Sequence, residues 1–186
     1  VITNENPTVA TYHKWGLVPA WAKDISVAAK MINARSESAA EKPSFRSAFR
    51  RRRCIIPSDG FYEWPEHTKD KVPMFVHRPN NEVYGMAGLW EIWQDPAGGE
   101  LRTCTILTTE ANPFMQKYHH RMPVILHKDD YALWLSPNEE PLPVLQSLMK
   151  AYDEDGLHAY SVSKAVNRVG NDSPQLIEPF TQQYLL

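Results

Sequence analysis

Cysteine is scarce in this chain: Cys54 and Cys104 are the two cysteines among 186 residues, and they form no CxxC pair. That excludes a disulfide-stapled scaffold and points to a reducing compartment. Long apolar runs are missing as well. No stretch approaches the roughly 20 residues a membrane span needs, and no charged-then-apolar leader opens the chain, so the reading is a soluble intracellular protein. A charge excess is also lacking: 20 Lys plus Arg against 22 Asp plus Glu leave a formal −2, which excludes a histone-like polycation and an acidic solvating tail alike. An initiator Met is absent too. The chain opens Val1-Ile2-Thr3, which reads as a processed or incomplete start.

Hydrophobic residues make up 42% and aromatics 11% of the chain, enough for one well-packed domain. Fifteen prolines break the sequence into short segments without repeats or linkers. Strand-length apolar runs are predicted at Cys54 to Ile56, Phe61 to Trp64, Pro73 to His77, Tyr84 to Trp93, Thr103 to Thr109, Val124 to Leu126 and Ala159 to Val162. Asp59-Gly60 reads as a hairpin-type turn between two of them. Helices are predicted at Ser44 to Arg52, with Phe45, Ala48 and Phe49 on one face, at Lys128 to Leu135 and at Leu142 to Tyr152. This order fits a single α+β domain over residues 1–186, with a barrel-like, mostly antiparallel sheet and peripheral helices, better than alternating βαβ units.

Charge is flat in sum but uneven along the chain. Arg35, Lys42, Arg46 and the run Arg50 to Arg53 crowd one stretch, whereas Asp129, Asp130, Glu139, Glu140, Asp153, Glu154 and Asp155 come late. The basic run reads either as a solvated helix face or as a polyanion contact. Trp15 is placed in the core. Trp21, after Pro19 and beside Lys23, is placed at the surface, where an indole stacks on unpaired bases.

Reactive groups are few. Glu63 sits among aromatics in Phe61-Tyr62-Glu63-Trp64; burial would raise its pKa into the range of a general acid or base, while strand alternation would turn it outward. His119, at a loop-to-strand junction before Val124, is placed for proton transfer, or is one of two solvent histidines. No metal and no cofactor is expected, because no partner ligand falls at the i, i+4 spacing of helical zinc sites. Asn33 is a helix cap or an orienting hydrogen-bonder. Cys54 and Cys104 lie in apolar strands, where a thiol is inert filler with a raised pKa.

Several motifs in register carry a family resemblance: Trp15-Gly16-Leu17-Val18-Pro19, Ile32-Asn33-Ala34-Arg35-Ser36-Glu37, Arg53-Cys54-Ile55-Ile56-Pro57, Asp59-Gly60-Phe61-Tyr62-Glu63-Trp64, Ala87-Gly88-Leu89-Trp90-Glu91, Ile106-Leu107-Thr108-Thr109, and His119-His120-Arg121-Met122-Pro123. Together they resemble the SOS-response-associated peptidase family, the abasic-site-processing domain, over nearly the whole chain. The resemblance implies binding of single-stranded DNA and a covalent crosslink to abasic sites. The family nucleophile is a mature N-terminal cysteine, whose α-amine and thiol close a thiazolidine on the sugar aldehyde. By motif, Asn33 would orient that cysteine and Glu63 would assist sugar-ring opening and imine formation. His119 would move protons at the sugar and reverse the crosslink, with Thr108 a polar residue beside it. Arg35 and Arg121 would hold phosphates and Trp21 would stack on bases, with Arg50 and Arg53 as further phosphate contacts.

Family members begin Met-Cys-Gly-Arg some tens of residues before the Trp-Gly-Leu motif, whereas Val1 to Lys14 precede it here. The expectation is therefore a domain given without its N-terminal segment and without its nucleophile. The resemblance further implies abasic DNA as partner, no membrane and no obligate protein partner. It places the protein in the cytoplasm, at the nucleoid in a bacterium, or in a eukaryotic nucleus. A thiol autopeptidase using the same cysteine and a non-catalytic single-strand-binding module are the competing functions.

Overall fold

The computed structural model describes residues 1–65 and 70–180, without the side chain of Glu154. In chain order the strands are β1 (Ile2–Thr3), β2 (Asn6–Ala10), β3 (Lys14–Trp15), β4 (Asn33–Arg35), β5 (Arg53–Ser58) and β6 (Gly60–Glu63). They continue with β7 (Met74–His77), β8 (Tyr84–Gln94), β9 (Glu100–Glu110), β10 (Arg121–Pro123), β11 (Ile125–Leu126) and β12 (His158–Ser161). Among the described residues four short α-helices accompany them, α1 (Ser36–Ala39), α2 (Arg46–Arg51), α3 (Tyr131–Trp134) and α4 (Leu142–Ser147), together with several 3-10 turns. The fold is thus mixed and sheet-dominated, with few helices, none of them long and apolar enough to cross a membrane among the described residues.

The chain divides into two units. The first comprises Val1–Ser58, Tyr84–Glu110 and Met122–Tyr152; the second comprises Asp59–Val83, Ala111–Arg121 and Asp153–Leu186. A nine-stranded sheet in the order β10-β9-β8-β5-β1-β2 frames the first, with β11 on β8 and both β3 and β4 on β9. Strand β8 is central and buried along nearly its whole length, which is why its sequence is apolar from Tyr84 to Trp90 and not alternating. Its registers with β5 and β9 are antiparallel; β3 and β4 lie parallel to β9. The core beneath gathers Leu17, Phe49, Leu89, Leu107, Val124 and Trp134. Strands β12-β7-β6 form a separate antiparallel sheet in the second unit.

Several expectations need correction. The strand path of the large sheet stays open among the described residues, since no pairing links β10 to β2, so the sheet is not a closed barrel. Asp59-Gly60 is not a hairpin turn: β5 pairs with β1 and β8, whereas β6 pairs with β7. Gly60 answers a packing need instead, because a Cβ there would sit 2.2 Å from the Phe75 ring. Trp15 is not in the core but 56% exposed, with its indole N–H donating to the Ile32 carbonyl at 2.8 Å. Helix α2 buries Phe45, Ala48 and Phe49 as its periodicity requires, but α4 stops at Ser147, whose hydroxyl donates back to the Val144 carbonyl at 2.7 Å.

Candidate active site

In the first unit, β4 lies parallel to β9 with Asn33 opposite Ile106, Ala34 opposite Leu107 and Arg35 opposite Thr108. Ala34 and Leu107 are buried in the core. Strand alternation therefore turns Asn33 and Arg35, with Ile106 and Thr108, onto the other face. Asn33 and Arg35 are exposed there and Thr108 is half-buried. Asn33 is not a helix cap: it opens β4, and Arg35 holds the cap position of α1. Trp15 pairs with Cys104 two residues further along the same edge of β9. Trp21 is 63% exposed. Its main chain is held by its neighbour, since Ala22 N–H donates to the Pro19 carbonyl and the Ala22 carbonyl accepts from the Trp93 indole, at 2.8 and 2.7 Å.

The second unit carries Glu63, His119 and Arg121. Glu63 ends β6 opposite Met74 and is half-buried. His119 rides on the loop Ala111–Arg121, with its Nδ1 accepting from the Arg121 N–H at 3.0 Å and lying 3.1 Å from the Arg121 carbonyl oxygen. Its ring packs against His120 with centroids 4.3 Å apart.

The basic run divides by burial. Arg53 is fully buried, and its guanidinium donates to five main-chain carbonyls: Nε to Trp134, Nη1 to Phe49 and Arg50, Nη2 to Ser136 and Asn138, at 2.7–3.2 Å. All five of its N–H groups are used. The expected phosphate contact at Arg53 is therefore wrong; the residue stitches β5 to the segment after α3. Arg51 pairs with Glu139 at 2.9 Å and Arg52 with the buried Glu91 at 3.1 Å. Arg50, exposed at the end of α2, remains available to solvent.

Neither cysteine suits nucleophilic work. Burial pushes the Cys54 thiol well above its ordinary value and that of Cys104 up to about 11, so both stay protonated at neutral pH. Among the described residues no group of three or more His, Cys, Asp or Glu is placed to hold a metal ion.

The family model described as SOS response associated peptidase (SRAP) matches residues 1–169. The chain belongs to the SRAP family. A relative named abasic site processing protein YoqW, from Bacillus subtilis (strain 168), is 48% identical over 166 residues, covering 89% of this chain and 74% of that protein. Another, abasic site processing protein HMCES of Gallus gallus, is 33% identical and covers 89% of this chain and 56% of its own length. A crystal structure of a protein from Bacteroides thetaiotaomicron superposes with a TM-score of 0.81 at 31% identity, covering 90% of this chain and 75% of that one. This SRAP chain also has a feature that residue motifs did not bring out: Asn112, buried at the head of the His119 loop, accepts from the Met115 N–H at 2.8 Å. The only signal for it was the Asn-Pro pair, a turn initiator.

Proposed function

We propose that this protein processes abasic sites in single-stranded DNA by forming a covalent crosslink to the ring-opened sugar. The observation that carries the reading is the β4–β9 register, which sets Asn33, Arg35 and Thr108 on one solvent-facing sheet surface at the positions of the family motif. The names of the relatives support abasic-site processing as the function.

In this reading the nucleophile is the α-amine of a mature N-terminal cysteine. With a pKa near 7.7–8.0, roughly 10–20% of such an amine is neutral at pH 7, against roughly 0.04% of an ordinary lysine. The amine adds to the sugar aldehyde and expels one water as the imine forms; the thiol then adds across the C=N bond to close a thiazolidine. Cys54 and Cys104 are internal, so they lack the α-amine and cannot substitute. Asn33 orients the nucleophile. Glu63 moves protons in ring opening and imine formation, and His119 does so at the sugar and in reversal. Arg35 and Arg121 contact phosphates, Arg50 adds a weaker contact, and Trp21 stacks on a base. The same cysteine serves a self-processing activity, a reading supported by the word peptidase in the family name. Residues 1–186 act here as one abasic-site-processing domain.

The test is crosslinking of abasic and unmodified single strands by the protein expressed from its complete reading frame, with Glu63→Gln and His119→Ala beside it. Adducts specific to abasic DNA, lost or slowed in the variants at unchanged affinity, support the reading. Binding without any adduct would instead assign a non-catalytic single-strand module.

A further inference from the structure

The loop that carries His119 is closed on itself by its own hydrogen bonds. Ala111 N–H donates to the His120 carbonyl at 3.1 Å, and Gln116 Nε2 donates to the Ala111 carbonyl at 3.0 Å. At its head, Asn112 Oδ1 accepts from the Met115 N–H at 2.8 Å while the Asn112 carbonyl accepts from the Gln116 N–H at 3.0 Å. The Met115 carbonyl in turn accepts from Tyr118 and His119 N–H groups, at 2.8 and 2.9 Å. Asn112 is 6% and Met115 0% exposed. Without the Asn112 side chain, the Met115 N–H would be left buried and unpaired at the start of the turn that delivers His119.

At the other end, the Arg121 main chain faces Nδ1 of His119, with its nitrogen 3.0 Å and its carbonyl oxygen 3.1 Å away. Either contact fixes the ring by its Nδ1 edge.

We infer that Asn112 is a positioning residue for His119, and that the Ala111–Arg121 loop is a clip that holds its ring by the Nδ1 edge for the proton transfer. The transfer itself rests on the proposed function; the holding of the ring does not.

Two measurements separate these. Single-turnover crosslinking and reversal are timed for wild type, Asn112→Ala, Asn112→Asp, His119→Ala and the Asn112→Ala/His119→Ala double variant. In parallel, the His119 ring resonances are followed by NMR, with His77 and His158 of the same unit as references. The inference predicts that Asn112→Ala slows the His119-dependent step about tenfold. Asn112→Asp, which keeps the acceptor, should stay within about threefold of wild type, and the Asn112 change should add less than about twofold once His119 is gone. The His119 signals should move in Asn112→Ala while those of His77 and His158 stay. Unmoved His119 signals, or equal slowing with and without His119, would overturn it. Should His119→Ala leave both rates unchanged, the chemical role of His119 fails, and the ring signals still decide whether Asn112 holds it.

Discussion

Arg35 stands opposite Thr108 where β4 runs parallel to β9, on the sheet face turned away from Ala34 and Leu107. The register fixes the main chain of this exposed cation on that face, opposite a half-buried hydroxyl residue.

Arg35→Gln is accordingly expected to weaken single-strand binding and to lower the salt dependence of log K by a slope of about 0.7. Binding titrations across a salt series measure this. An unchanged slope would remove Arg35 from the phosphate contacts.

Glu63→Gln separates chemistry from binding. The side chain keeps its shape and loses its proton-transfer capacity, so crosslink formation should slow by about 10²–10⁴ while affinity for abasic single strands stays within about twofold. Parallel losses in both would give Glu63 a binding role instead.

Much of this was legible in the primary structure. Strand-length apolar runs marked β8 and β9, and the spacing of Phe45, Ala48 and Phe49 marked α2, because burial of a strand or of one helical face leaves its pattern in the residues themselves. Strands β1 to β4 escaped it: Asn6–Ala10 is exposed throughout, and Asn33–Arg35 is held by its pairing with β9 and not by its own composition. Arg53 misled for a related reason. A charged residue in a basic run looks solvated until the carbonyls of Phe49, Arg50, Trp134, Ser136 and Asn138 are brought around it by the fold. Trp15 misled in the opposite direction, because one hydrogen bond to Ile32 anchors an indole that packing leaves open.

Arg53 therefore belongs to stability. Arg53→Lys replaces five directed donors by three and should cost about 2–4 kcal/mol in urea unfolding, with the salt slope of DNA binding unaltered in the folded protein. A stable variant with a reduced slope would return Arg53 to the DNA contacts.

Alkaline pH probes the buried thiol. The Cys104 pKa is raised from 9.0 to about 11 on folding, so between those values the unfolded chain has released a proton that the native state retains. Stability contributed by the protonated thiol is complete below pH 9 and is lost as pH rises toward 11. Unfolding free energies should fall across this window by about 2 kcal/mol relative to Cys104→Ala. A constant difference between the two proteins would mean that the thiol ionises alike in both states.

The central claim is covalent chemistry at a terminal amine, and intact mass after denaturation tests it most directly. The protein from its complete reading frame, incubated with an abasic single strand, should gain the mass of the oligonucleotide less one water, and peptide mapping should place the adduct on a mature N-terminal cysteine. An unmodified protein, or an adduct mapped to Cys54, Cys104 or a lysine, would contradict the account.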